Sequence, residues 1–290
     1  MTKISESTNF ISNKGECFQV SRLEIFFAQN QIFTLRELES SILPQELNKN
    51  TLKNLLDYHL KKGHVIRIRK GLYYTIPKGS SLEEYPVDPY LIASKMAPDA
   101  ILSYHTALSF HGHLHSVRND FVFMTQHVVK PPFKYRGNTF KGVSPPKKVA
   151  AIDPSFEVEL VDYLGIKLRV TSLERTFVDI LDRLNLTGSF EEIWKSLESI
   201  GYLNISKVIE YVKILQNSTT NARVAFFLDQ HRENFGLVEN NFKFFDASKP
   251  KMIHYFDRKS KEPSKLVKRW NLIVPESLNK KSWEEPYENF

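Results

Sequence analysis

The stretch Thr51–Thr75, TLKNLLDYHLKKGHVIRIRKGLYYT, carries the first fold assignment of this chain. Leu52, Leu55, Leu56 and Leu60 recur at i, i+3, i+4 and i+8, an apolar stripe with the period of an α-helix. Asn50, Lys53, Asn54, Asp57 and Lys61 fall on the opposite face. Asn48 and Asn50 are both candidates for the N-cap, and Gly63 suits the left-handed residue that ends a helix. Beyond it, Val65, Ile66 and Ile68 alternate in part with Arg67 and Arg69, the period of a half-buried strand. Lys70-Gly71 marks a turn, Leu72–Ile76 reads as a second strand, and Pro77 stops it.

Two shorter helices precede this stretch. One covers Ser21–Gln29 with Leu23, Phe26 and Phe27, and one covers Thr34–Ser40, where Thr34 and Glu37 have capping-box spacing. Three helices and a basic hairpin fit a winged helix-turn-helix over residues 17–78. Its expected DNA contacts are Asn50, Thr51, Lys53, Asn54 and Lys61 on the third helix and Arg67, Arg69 and Lys70 on the hairpin. Asparagine and lysine suit base edges and phosphates, and hairpin arginines suit phosphates or the minor groove. Two alternatives stand beside this reading. A basic helix face is often only a solvated surface, and winged helices also bind proteins. Asp57 in the middle of the face would repel phosphate; it suits pairing with Lys53 or Lys61, or accepting from a cytosine amine.

Composition agrees with a nucleic-acid partner. The 290 residues carry a formal net charge of +7, with 41% hydrophobic residues for a core. The length suggests two domains. A single cysteine, Cys17, excludes an internal disulfide framework and fits a reducing compartment. No apolar run is long enough to span a membrane, and residues 1–16 form a polar tail without a signal-peptide core, so the expected location is the cytoplasm. Residues 79–88 read as a linker, which starts the second domain at residue 89.

Residues 89–290 mix helix and strand, giving an α+β chain overall. Helices are expected over Pro89–Met96, Asp99–His111, Phe190–Ile200, Ile205–Leu215 and Asn221–Glu233. Strands are expected over Phe121–Thr125, Thr139–Val143, Phe156–Leu160, Ile166–Val170, Met252–Phe256 and Trp270–Val274, with Gly165 turning a hairpin. A strong helix follows Thr171, whose spacing to Glu174 is that of a capping box. Leu173, Phe177, Ile180, Leu181 and Leu184 mark its buried stripe, and Arg175–Asp179 and Asp179–Arg183 are expected as i,i+4 pairs on its polar side.

Three segments taken in order resemble a known family. They are Arg69-Lys70-Gly71-Leu72-Tyr73-Tyr74, Leu102-Ser103-Tyr104-His105-Thr106-Ala107-Leu108 closed by His111-Gly112, and Thr171-Ser172-Leu173-Glu174-Arg175-Thr176-Phe177-Val178-Asp179. Their order and separation resemble the AbiEi antitoxins of type IV toxin–antitoxin (abortive infection) systems. The likeness covers residues 20–235, and the last fifty or so residues lie outside it. The resemblance implies a transcriptional repressor that binds double-stranded operator repeats of its own operon through the winged helix. It also implies a second domain that counteracts a nucleotidyltransferase-type toxin encoded nearby. Carried over onto this chain, it implies Lys53, Asn54, Arg67 and Arg69 as DNA contacts.

Enzymatic readings are weaker. His105, His111, His113 and His115 cluster in sequence, but they straddle a helix end and lack a completing cysteine or carboxylate, so structural hydrogen bonds are expected of His105 and His111. Glu157 and Glu159 alternate on one strand as a nucleotidyltransferase's metal-binding carboxylates would, without the upstream glycine-serine turn that holds phosphate. Ser103 and His105 at i,i+2 on one helix diverge by about 200°, which breaks a triad with Asp99. The expectation is therefore a non-enzyme with no cofactor, no metal and no catalytic residue. Lys243–Arg269 is basic and interleaved with Phe244, Phe245, Tyr255, Phe256 and Trp270. That pattern suits single-stranded nucleic acid or the toxin's RNA substrate, or a lysine-rich surface over a sheet with the aromatics in its core. The alternative function is a protein- or RNA-binding adaptor whose winged helix is scaffold.

Overall fold

A computed structural model describes residues 10–11, 17–18, 22–42, 48–77, 79–80, 86–187 and 190–280. Most of the expected polar tail and half of the expected linker lie outside these residues. The chain is a mixed α+β protein of two compact units, Met1–Pro98 and Asp99–Phe290.

In the first unit, β1 (Phe10–Ile11) pairs with β2 (Cys17–Phe18). There follow α1 (Arg22–Gln29), β3 (Ile32–Thr34), α2 (Leu35–Ile42), α3 (Lys49–Lys61), β4 (Val65–Arg69) and β5 (Leu72–Thr75). Strands β3, β5 and β4 form an antiparallel sheet in that order. The capping box at α2 forms as its spacing predicts: the Thr34 amide donates to Glu37 Oε2 at 2.7 Å and the Glu37 amide donates to Thr34 Oγ1 at 3.3 Å. Leu23, Phe26, Phe27, Phe33, Leu38, Leu52, Leu56, Val65 and Tyr73 close a common core, with Phe26 and Phe33 edge to face at 5.2 Å. Helix α4 (Pro89–Ser94) is capped by Asp88 and belongs to this unit, whereas the sequence reading begins the second domain with it. Two long-range polar contacts explain the assignment. Lys95 ion-pairs with Glu37, and the Arg69 guanidinium donates to the Met96 carbonyl at 2.8 Å.

The second unit is built on a six-stranded mixed sheet: β6 (Ile101–Leu102), β7 (Asp120–Met124), β8 (Phe133–Tyr135), β9 (Asn138–Val143), β10 (Val158–Tyr163) and β11 (Ile166–Thr171), in spatial order β10-β11-β6-β7-β9-β8. Helices α5 (His105–Phe110), α6 (Lys147–Ile152), α7 (Leu173–Asp182), α8 (Phe190–Glu198), α9 (Ile205–Leu215), α10 (Ser218–Gln230), α11 (Lys243–Ser248) and α12 (Glu276–Lys280) complete it, with a small sheet of β12 (His254–Tyr255), β14 (Leu272–Pro275) and β13 (Ser264–Val267). Helix α10 is buried nearly all round, from Thr220 through Leu228, as befits the centre of a helical layer. Phe177, Trp194, Tyr211, Phe256 and Trp270 belong to the same core, and the helix's own Phe227 meets Phe177 and Trp194 edge to face.

Three expectations for this unit are corrected. Residues 99–111 are not one helix: Ile101–Leu102 is a central strand, joined to α5 by Tyr104 in a left-handed conformation with φ 55°. Two apolar residues between β7 and β11 gain neighbours on both sides, which a helix could not offer them. The cap of α7 is Ser172, whose Oγ accepts from the Arg175 amide at 3.2 Å, while Thr171 ends β11. Glu174 instead accepts from the Asn204 amide. Finally, β10 begins at Val158, and Glu157 precedes it with φ 49°.

Candidate nucleic-acid interface

Helix α3 starts at Asn48, whose Oδ1 accepts from the Thr51 amide at 2.8 Å and from Thr51 Oγ1 at 3.0 Å. It ends at Lys62, followed by Gly63 at φ +74°. Leu52 and Leu56 are buried, and Leu55 and Leu60 pack against the same core. The opposite face is open. Asn50, Lys53, Asn54, Asp57 and Lys61 are exposed, and Thr51 is half-buried by its cap bonds. Asp57 pairs with neither Lys53 nor Lys61, so its carboxylate stands free on that face. Sequence reasoning missed Tyr58, which is 52% exposed with the Lys62 ammonium 5.9 Å from its ring centroid. Its position, four residues after Asn54, was the available signal.

The β4–β5 hairpin separates its two arginines. Arg67 pairs across to Tyr73 and Arg69 to Leu72, with a bulge between them that leaves Ile68 buried. Arg67 and Lys70 are exposed. Arg69 is half-buried, bound to the Met96 carbonyl, and its Nε has no partner. Burial holds its guanidinium below the ordinary arginine value. The structure therefore brings Asn50, Lys53, Asn54 and Lys61 to one helix face, leaves Arg67 and Lys70 free on the hairpin, and engages Arg69 internally.

In the second unit, the two family-like motifs pack together. Val170 of β11 pairs with Leu102 of β6, and the His111 ring meets the Thr171 carbonyl at 2.8 Å. His105 is buried between the Asp120 and Leu186 carbonyls, at 2.8 and 3.2 Å. Its Nε2 also lies 3.1 Å from Asp120 Oδ2, and this hydrogen bond, with Arg118 beyond it, holds the Asp120 carboxyl well below the ordinary range. Among the described residues no group of three or more histidine, cysteine, aspartate or glutamate side chains is placed to hold a metal.

Arg175 and Asp179 are not on a polar face. Both are completely buried, 3.4 Å apart, and Tyr211 donates its hydroxyl to Asp179 at 2.6 Å. Arg175 also donates to the Pro154 carbonyl at 3.0 Å and to that of Phe156. Burial drives the Asp179 carboxyl above the ordinary range, against the pull of Arg175 and Tyr211. The expected Asp179–Arg183 pair does not form: Arg183 lies 3.7 Å from Asp182. Glu157 and Glu159 are not a carboxylate pair on one strand either, since Glu157 turns away to Lys207 at 2.9 Å.

The C-terminal basic region combines packed aromatics with exposed lysines: Lys243, Lys251, Lys259, Lys261, Lys265 and Lys268 reach solvent, as does Tyr255. Phe245, Phe256 and Trp270 are buried, and Arg269 is held by Glu239 and by Asp246 at 2.9 Å.

No family model matches this chain, and no curated protein does. Among solved structures it is similar to the Rv2827c protein of Mycobacterium tuberculosis, with a TM-score of 0.60 and 14% sequence identity over 92% of this chain and 93% of that one. At that identity the likeness speaks for a shared fold. No helix among the described residues is long and apolar enough to cross a membrane.

Proposed function

We propose that the first unit is a winged helix-turn-helix that reads double-stranded DNA, and that the protein is a transcriptional repressor of its own operon. The observation that carries this reading is the exposed polar face of α3, with Asn50, Lys53, Asn54 and Lys61, next to a hairpin that presents Arg67 and Lys70. Helix α2, helix α3 and a hairpin closing a three-stranded sheet follow in the order of a helix-turn-helix with a wing, which supports α3 as the helix that would enter the major groove. Asparagine offers a bidentate match to adenine, lysine to guanine or phosphate, and the free Asp57 carboxylate to a cytosine amine. Thus α3 supports selective contact as well as charge.

The antitoxin part of the proposal rests on the resemblance of the three sequence segments to AbiEi proteins. On that reading the second unit counteracts a nucleotidyltransferase-type toxin. A gel shift with the chain's own upstream region tests the repressor. Lys53→Ala with Asn54→Ala is expected to weaken operator binding by about 30-fold or more, at about 1–3 kcal/mol for each of two lost base contacts, with the unfolding midpoint unchanged. Equal affinity for operator and scrambled duplex would end the reading. For the antitoxin part, growth rescue on co-expression with the adjacent reading frame is the corresponding measurement.

A further inference from the structure

The longest acid-free stretch of the second unit runs from residue 121 to residue 152. It contains Lys130, Lys134, Arg136, Lys141, Lys147 and Lys148 and not one aspartate or glutamate. The first four of these cations sit on or beside the β8–β9 hairpin, all are exposed, and none pairs with a carboxylate among the described residues. This contrasts with the basic region at the C-terminus, where Asp246, Asp257 and Glu262 are interspersed and Arg269 and Lys249 are drawn to Asp246. It contrasts also with the other edge of the same sheet, β10, where Glu159 and Asp162 reach solvent.

The hairpin carries a second feature. Arg136 and Gly137 form its two-residue turn with φ +47° and +82°, the geometry that keeps two twisted strands in register. Register then sorts the side chains. Lys134 lies opposite Thr139, and Lys141 follows on the same face two residues along β9. The other face holds a row of rings from core to edge: Phe121 against Phe140 at 5.5 Å, Phe140 against Phe133 at 6.2 Å, and Phe133 against Tyr135 at 6.4 Å and 17°. Phe121 and Phe140 are buried, whereas Phe133 and Tyr135 are half-open, and the Arg136 guanidinium lies 5.9 Å from the Tyr135 centroid. Strand β8 is the last of the sheet, so nothing in the sheet continues this row.

We propose that the β8–β9 hairpin is a binding site for a single-stranded polynucleotide that wraps the sheet edge, with Tyr135 and Phe133 extending the ring row under unpaired bases on one face and the cations nearest that edge, Lys130, Arg136 at the turn and Lys134 on the opposite face of β8, holding phosphates. Rings on one face of an edge strand offer every base a π-face, and free cations at its turn and on its other face track a backbone that crosses the edge. A paired duplex hides its base faces and gains only the charge. The site is distinct from the α3 face and does not depend on the operator-binding proposal.

Fluorescence anisotropy of the full-length protein with labelled oligo-U RNA, oligo-dT and a duplex of its upstream region tests the site. Wild-type protein is expected to bind both single strands, with affinity falling steeply as salt rises. Lys134→Ala with Arg136→Ala is expected to lower the slope of log affinity against log salt by about 1.4, from about 0.7 per lost phosphate contact. Tyr135→Ala is expected to weaken single-strand binding by about fivefold or more, and Tyr135→Phe to retain it. The duplex arm should be unchanged in all three. Absence of single-strand binding by the wild type would overturn the proposal, as would variants that bind like it. So would an equal loss on the duplex, which would make the hairpin a duplex contact. RNA binding alone, or DNA binding alone, would support the site and assign its source.

Discussion

Helix α3 leaves Lys53, Asp57 and Lys61 in solvent, whereas helix α7 buries Arg175 and Asp179 completely. Both helices have an apolar stripe and charges at i,i+4 spacing. The difference lies in what comes to cover the second face. Around α7, the turn before β10 supplies the Pro154 and Phe156 carbonyls and α9 supplies Tyr211, so its charges bind the fold together. On α3 the charged residues meet no such cover among the described residues, so they stay in solvent. A charge already satisfied internally contributes little to binding, and a charge left in water contributes little to stability.

Asp179→Ala presses hardest on this contrast. It leaves the Arg175 guanidinium buried without its counter-ion, and the expected loss is about 3–5 kcal/mol of unfolding free energy, read by urea titration. Replacing both, as Arg175→Met with Asp179→Leu, should recover much of that loss, because no unpaired charge then remains. A loss below about 1 kcal/mol for Asp179→Ala would place the pair with ordinary surface pairs and dissolve the comparison.

The two hairpin arginines repeat the contrast at closer range. Arg69→Ala removes a charged donor from the Met96 carbonyl and is expected to cost about 1.5–3 kcal/mol of stability. Arg67→Ala should leave the unfolding midpoint in place and lower the salt slope of operator binding by about 0.9. The reverse pattern would exchange their roles.

The smallest effect is expected at Asp120. Its carboxyl is held low by the hydrogen bond from His105 and then by Arg118, so its folded value lies below its unfolded one. The stabilisation is therefore fully present above the ordinary carboxylate value of 3.8 and is lost as the pH falls below it. The advantage of the wild type over Asp120→Asn, on the order of 1 kcal/mol for a solvent-screened group, should shrink as pH falls from about 4 towards 2. An advantage that persists unchanged to the lower pH would show that the carboxylate is not the source.

Local signals read well where a residue's neighbours in sequence are also its neighbours in space. The leucine stripe of α3, the capping box of Thr34 and Glu37, and helix Ile205–Leu215 are such cases. The β10–β11 hairpin at Gly165 belongs with them. The reading faltered where distant chain decided the outcome. Ile101–Leu102 sits in an apolar run of helical appearance and becomes a strand only because β7 and β11 flank it. The β8 strand escaped notice because prolines precede it and it is three residues long.

By itself the sequence determined the α+β class, the residues of the α3 polar face and the turn at Lys70-Gly71, since these follow from periodicity and backbone preference over a few residues. Which charges would stay free was decided by tertiary structure alone. Arg67 and Arg69 are two residues apart on one strand, and Arg175 and Asp179 one turn apart on one helix. The bulge, the Met96 carbonyl and the Tyr211 hydroxyl separate the charges held by the fold from those left in solvent, because burial depends on chain that is remote in sequence.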